Sequence, residues 1–346
     1  MRLRPQRLVL PVRLLLPVLL AAASALPAAA APDSLLTALR SPILLHGDST
    51  TAFRDPILAR VGSQFYLIYS YVRTEQDQKV YWYTALSTSR DLQHWSAPHI
   101  VTPRSQNLNY SSPGSLTRVG NEWILSLQTI PMNGVRLNDP PPIHWPEEPS
   151  RLWTMTTRDF KTWTAPELIR VKGPTVPQQD MGKMIDPFLL QDKDVPGKWW
   201  CFFKQGGDIH ESWSMDRHNW HPLDAPIAHG ENPEVLVDTT ANDYVLFYSP
   251  QNGTGVKRST DLIHWTGDGP PITLGQKDWP YAETRITAGY VADLRNVPGV
   301  GKYVLVCHTM GPGTQKTNHN VLTGCNIVIA WSDDLKTWHW PGEKTS

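Results

Sequence analysis

Two phrases in this sequence set an aspartate directly before a proline at the head of an apolar run: Phe53-Arg54-Asp55-Pro56 and Met184-Ile185-Asp186-Pro187. A third, Gly230-Glu231-Asn232-Pro233-Glu234, brings a glutamate to a similar place, and Tyr110-Ser111-Ser112-Pro113 has the same shape without an acid. Two carboxylates facing one another across a pocket are what cleavage of a glycosidic bond needs. One, with raised proton affinity, protonates the leaving oxygen, and the other activates water or attacks directly. A third can tune the acid and hold it in place. An isolated Asp-Pro is commonly no more than a strand-initiating turn. Three acids at the heads of matching strands are costly unless they do chemistry, because like charges repel in a partly dry pocket.

Meeting of residues so far apart requires a repeating scaffold, and the chain has one. Asp91/Trp95, Asp159/Trp163, Asp216/Trp220, Asp261/Trp265 and Asp334/Trp338 recur with one spacing, four of them in phrases such as Ser-Arg-Asp-Leu-Gln-His-Trp; Ser-Met-Asp-Arg-His-Asn-Trp is degraded. Such a period means repetition of one supersecondary unit. Before each phrase lie apolar, β-branched and aromatic runs bounded by Gly, Asn, Asp and Pro, as at Phe65–Tyr71 and Trp82–Ser87, and a further run follows the tryptophan. The pattern predicts an all-β fold, a five-bladed β-propeller with four antiparallel strands per blade. The chain ends just past the fifth tryptophan, so the last blade lacks its outer strand. Ser41-Pro42-Ile43-Leu44-Leu45 resembles Ala97-Pro98-His99-Ile100-Val101 and is expected to supply it, an N-terminal strand closing the ring. In such a ring the inner strands line the axis, and Asp55, Asp186 and Glu231 converge on one funnel. The repeated Asp and Trp are read as scaffold, the Asp holding a turn and the Trp packing between blades.

Composition narrows the function. Arg2, Arg4, Arg7 and Arg13, the apolar Leu14–Ala23 and the small residues Ala28–Ala31 read as a secretion signal over residues 1–31. The apolar part is too short and Pro-broken for a membrane span. The remainder, 32–346, reads as a single catalytic domain, secreted or periplasmic. The whole chain balances 32 basic against 32 acidic residues, so loss of those four arginines leaves the mature chain mildly acidic. With no basic run, nucleic acid is excluded as a partner; no membrane partner is expected, and the protein is expected to be a monomer. There are three cysteines and no Cys-x-x-Cys, which speaks against structural zinc. Cys307 and Cys325 are expected on neighbouring strands of the last blade, where secretion permits a disulfide.

On these residues the chain resembles the family 43 glycoside hydrolases and their five-bladed relatives in families 62 and 32, over nearly the whole mature length. Asp55-Pro56 resembles the first family motif, which implies a general base. Ile185-Asp186-Pro187-Phe188, followed by Gln191-Asp192 and Gly197-Lys198, resembles the second, whose Asp tunes the acid. Glu231-Asn232-Pro233 resembles a Glu-Gly-Pro motif whose Glu is the acid, with Asn in place of Gly and Glu234 as a rival. Ser112-Pro113 sits where Ala-Pro is usual. Arg54 echoes an Arg-Asp-Pro motif of family 32, but no Asn-Asp-Pro-Asn nucleophile motif is present. Many family 43 members carry a central His on blade five, often near a bound calcium; Thr287-Ala288-Gly289-Tyr290 has none, and His308 is the nearest candidate. No cofactor is therefore expected to be required, and no metal-ligating residue is assigned. Arg54, Arg285, His308 and Trp145 are the expected substrate contacts, with Trp279 and Tyr281 as further stacking faces. The resemblance implies an inverting, arabinofuranosidase- or xylosidase-like hydrolase of plant-type saccharides. The alternatives are a non-catalytic carbohydrate-binding propeller and a fructan or anhydrosugar hydrolase.

Overall fold

Each Asp-x-x-x-Trp phrase closes a tight turn with the same Asp and hydroxyl acceptors, and in three of the five, at Trp95, Trp220 and Trp265, the indole N–H adds a bond. In the first, Asp91 Oδ1 accepts the N–H groups of Gln93 and His94 at 3.0 and 2.8 Å, and Ser89 Oγ accepts that of Leu92 at 2.9 Å. Leu92 takes a positive φ of 63°, and its carbonyl accepts the indole N–H of Trp95 at 3.0 Å. Left-handed backbone costs a non-glycine residue roughly 1–2 kcal/mol, which the side-chain bonds offset locally. Phe160, Arg217, Leu262 and Leu335 repeat the conformation. The degraded phrase works as well as the others: Asp216 accepts from His218 and Asn219, and Trp220 donates to the Arg217 carbonyl at 2.8 Å. What the turn demands is the Asp and a hydroxyl two residues earlier, not the apolar residue between.

The computed structural model describes residues 33–137, 139, 150–267, 269–311 and 323–344. The expected secretion signal (1–31) and Trp145 lie outside the described residues. A short helix α1 (Ser34–Thr37) precedes β1 (Ile43–Leu45). Blade I is β2 (Thr51–Val61), β3 (Gln64–Thr74), β4 (Val80–Ser89) and β5 (His99–Ile100). Blade II has a split inner strand, β6 (Tyr110–Ser111) and β7 (Leu116–Val119), then β8 (Glu122–Thr129), β9 (Leu152–Thr157) and β10 (Glu167–Leu168). Blade III is β11 (Ile185–Gln191), β12 (Trp199–Gln205), β13 (Asp208–Ser214) and β14 (His221–Pro222), with β15 (Ala228–His229) also on β13. Blade IV has β16 (Glu231–Asp238), β17 (Asp243–Ser249) and β18 (Gly255–Ser259). Its outer edge is held only by bridges Thr254–Ile272 and Arg258–Thr266, so a four-strand count fits this blade loosely.

Blade V is β19 (Arg285–Asp293), β20 (Tyr303–Met310) and β21 (Asn326–Ser332), and β1 completes it, antiparallel to β21 with Ile43 opposite Val328. The N-terminal strand thus closes the ring as expected. Apolar clusters fill the spaces between blades, and Tyr290 packs against three of them, from blades V and I, I and II, and III and IV. Among the described residues no helix is long and apolar enough to cross a membrane.

The disulfide that secretion would permit is absent: Cys201, Cys307 and Cys325 are all buried thiols. Cys307 lies opposite Val328, in a cluster with Trp279 and Ile286, whereas Cys325 packs against Ala52, Trp82 and Met310. The two side chains occupy different cores, and neighbouring strands alone do not align a pair for bonding. Thiol titration is expected to find no reactive cysteine in the native protein and three after denaturation without reductant. A count of one after denaturation would mean that Cys307 and Cys325 are joined.

Candidate active site

The inner strands carry their functional residues on matching bulges. Register jumps between Arg54 and Ile57, Ile185 and Phe188, Glu231 and Glu234, and Thr287 and Tyr290. One residue in each bulge is left-handed: Asp55 (φ 48°), Asp186 (55°), Asn232 (50°) and Ala288 (51°), with Ser112 (42°) in the break between β6 and β7. Pro follows in blades I to IV and Gly289 in blade V. Asp55, Ser112, Asp186, Asn232 and Ala288 are therefore the equivalent positions. This corrects the sequence alignment: Glu231 stands one residue earlier, level with Arg54, Ile185 and Thr287.

Each left-handed residue gives its N–H to a side chain of the preceding blade, and the bonds run once around the ring. Asp55 donates to His308 Nδ1 (3.1 Å), Ser112 to Ser70 Oγ (2.7 Å) and Asp186 to Gln128 Oε1 (2.5 Å). Asn232 donates to Asp186 Oδ2 (3.2 Å) and Ala288 to Ser249 Oγ (2.7 Å). Four acceptors lie on middle strands at one register, opposite Arg54, Ser111, Glu231 and Thr287. In blade III that register holds Lys204, opposite Ile185. An ammonium has no lone pair to accept an N–H. Asp186 supplies the missing acceptor, and Lys204 Nζ instead donates to Glu231 Oε2 at 2.7 Å.

Asp55, Asp186 and Glu231 line one open cavity of about 240 Å³, with Arg54, Trp82, Ser112, Gln128, Lys183 and Arg285 among its walls. The rival Glu234 does not line it; it is buried against an adjoining axial space of about 30 Å³ that Asp55, Asp186 and Tyr290 also line, and its Oε2 accepts the Val291 N–H at 2.6 Å. Asp55 Oδ2 accepts hydroxyls from Ser70 (2.8 Å) and Ser112 (3.0 Å). Its Oδ1 accepts no hydrogen bond from the described residues, and is the oxygen left for a water. His308 Nδ1 is 3.5 Å from it, but that nitrogen already accepts the Asp55 N–H, and burial, then the Arg54 and Arg285 charges, keep the ring neutral. The contact is not an ion pair.

Proton affinity divides the other two carboxyls. Burial, then the adjacent Glu231 charge, raise Asp186 to about 7, against the pull of Lys204. Burial would raise Glu231 too, but Arg285 and Lys204 outweigh it and hold this carboxyl below its ordinary value. Arg285 Nη2 lies 2.6 Å from Glu231 Oε1. In the free cleft the environment thus favours a proton on Asp186 and an ionised Glu231. The pair still carries one proton between them over neutral to mildly acid pH.

Of the expected substrate contacts, Arg54 and Arg285 line the cavity. His308 does not; it is fully buried behind Asp55 as a positioning group. Trp279 is buried, stacked on Tyr281 and edge-on to Trp340, and so serves packing. Sequence reasoning missed Lys204, Lys183, Trp82 and Gln128. Among the described residues no group of three or more His, Cys, Asp or Glu side chains is arranged to hold a metal ion.

No protein-family model matches the sequence, and no curated protein matches it. Solved structures do match the fold. A Bacteroides ovatus GH43B protein from a xyloglucan utilisation locus superposes with TM-score 0.56 at 14% identity, over 88% of this chain and 56% of that one. An exo-1,5-α-L-arabinanase from a bovine ruminal metagenomic library gives 0.54 at 16% identity, over 84% and 97%. A thermostable family 43 glycoside hydrolase gives 0.57 at 12% identity, over 86% and 95%. The chain has the five-bladed fold of these proteins.

Two outcomes follow from the geometry. Ser249→Ala removes the acceptor of a buried N–H and is expected to cost about 1–3 kcal/mol, measured by urea unfolding. For Asp186, the folded carboxyl binds its proton more tightly than the unfolded one, so its contribution to stability falls as pH rises from about 4 to about 7. Asp186→Asn escapes that loss, and its stability relative to the native protein should climb across the same window and level off above it. A difference independent of pH would show that Asp186 titrates normally.

Proposed function

We propose that this chain is a glycoside hydrolase using Asp55, Asp186 and Glu231. The observation that carries the reading is that these three acids, from three blades, line one open cavity. The fold shared with family 43 proteins supports it, since fold alone does not set chemistry. Arabinofuranosides and xylosides of plant-type saccharides are the proposed substrates, one neighbour of the same fold being an exo-1,5-α-L-arabinanase. The signal-like residues 1–31 support a secreted or periplasmic enzyme, proposed as a monomer, and no cofactor is invoked.

In the proposed reaction Asp55 Oδ1 takes a proton from water as the water oxygen bonds to the anomeric carbon. The glycosidic C–O bond breaks, and its oxygen takes a proton from Glu231. That proton starts on Asp186. Entry of the leaving-group oxygen beside Glu231 displaces the Lys204 and Arg285 hydrogen bonds, and the proton shared by the two carboxyls moves to Glu231. Asp186 then carries the negative charge while Lys204 remains to balance it.

A screen of chromogenic arabinofuranosides, xylosides, galactosides and fructosides should find a hydrolysed substrate, with NMR showing inverted anomeric configuration. Asp55→Asn and Glu231→Gln should each lower kcat by about 10³-fold or more with unchanged melting. Native activity in either variant removes that residue from the mechanism. Binding of oligosaccharide with no product release in the native protein would favour a non-catalytic carbohydrate-binding propeller.

A further inference from the structure

The cleft holds more positive charge than a neutral sugar calls for. Arg54, Lys183 and Arg285 line it, and Lys204 reaches in to Glu231. Against these four cations stand three carboxylates, and Glu231 by itself occupies two of the cations, Lys204 and Arg285. Arg54 and Lys183 have no carboxylate partner among the described residues. Arg54 is half-buried, its guanidinium 4.9 Å from the centre of the Trp82 ring, and its Nε is enclosed without a hydrogen-bond partner. A buried donor on a charged group is costly to leave unmade. A guanidinium resting on an aromatic face keeps its in-plane N–H edge for a two-oxygen acceptor. Asp55, its neighbour in sequence, does not fill that role: its Oδ2 is taken by two hydroxyls.

We propose that the saccharide this cleft takes bears a fixed negative charge, a carboxylate or a sulfate ester, seated on Arg54 with Lys183 at the exposed rim. The ring oxygens and hydroxyls of a neutral sugar can be satisfied by neutral donors, whereas two cations with no carboxylate partner among the described residues of a walled cavity favour an anion. The inference rests on the hydrolase reading and replaces its neutral pentosides with a charged sugar class, yet its binding step stands without catalysis. Lys183 is exposed and Arg54 is not, so Arg54 sets the affinity and Lys183 the salt dependence of capture.

The test uses the full-length mature protein and calorimetric binding of glucuronate, galacturonate and galactose 6-sulfate beside glucose, galactose, xylose and arabinose. At least one anionic sugar should bind about tenfold or more tighter than its neutral counterpart. That margin should shrink as salt is raised from about 0.02 to about 0.5 M. Arg54→Met, which keeps the packing on Trp82, and Lys183→Gln, at an exposed position, should each cut the margin about fivefold or more. If Arg54→Met fails to fold, Lys183→Gln and the salt series decide. A preference among uronates points to a carboxylate and among sulfated sugars to a sulfate ester; either supports the proposal. Equal binding of anionic and neutral sugars overturns it, as does a margin unmoved by salt and by Lys183→Gln. Hydrolysis of neutral pentosides lost in Asp55→Asn, with no anionic preference, would sink this inference and leave the hydrolase reading standing. Anion-selective binding with no hydrolysis of any glycoside would do the reverse.

Discussion

Five backbone amides, each pinned by a side chain of the blade before it, are the constraint on which the rest of this molecule depends. They hold Asp55, Ser112, Asp186, Asn232 and Ala288 in left-handed backbone that costs a non-glycine residue roughly 1–2 kcal/mol. The kink that results turns consecutive side chains of an inner strand into the same funnel, where a regular strand would send them to opposite faces. Arg54 and Asp55 both reach the cavity for that reason, as do Glu231 and Asn232. Each pin also ties one blade to the next, so the site and the ring are held by the same bonds.

The one irregular pin explains the electrostatics. Lys204 stands where the other blades place an acceptor. Its charge is therefore free to face Glu231, and the task of receiving the Asn232 amide passes to Asp186. Asp186 thereby sits close enough to Glu231 for their charges to interact, which separates the proton affinities of two acids that would otherwise be similar. Arg285 and Lys204 together favour an ionised Glu231, while burial and the Glu231 charge favour a proton on Asp186 against the pull of Lys204.

Much of the architecture was legible from residue types. The Asp-x-x-x-Trp phrase announces its turn because the Asp accepts two amides and the preceding hydroxyl a third, requirements few other residues meet. Ile43–Leu45 was readable as the closing strand by likeness to the segment around His99 and Ile100. The acids were visible through their prolines, but the prolines also held a warning that went unread. The residue directly before Pro marks the bulge, which in blade IV is Asn232, so Glu231 had to be offset. Lys204 had a signal too: a polar residue at the end of an apolar run, as Gln128, Ser249 and His308 also are, with Ser70 inside one. Its meaning depends on pairing between blades, which no local pattern reveals. The disulfide failed for a similar reason, since adjacency of strands does not say which core a side chain enters.

The pairing of Ile43 with Val328 joins the two ends of the chain across most of its length. Until the last strand has been made, Ile43–Leu45 has nothing to pair with, and without β1 blade V leaves the edge of β21 open to neighbours. Contacts so far apart in sequence form late and slowly. A ring of this kind therefore locks only once β21 is there for β1 to meet, and its own topology builds in a delay before it does.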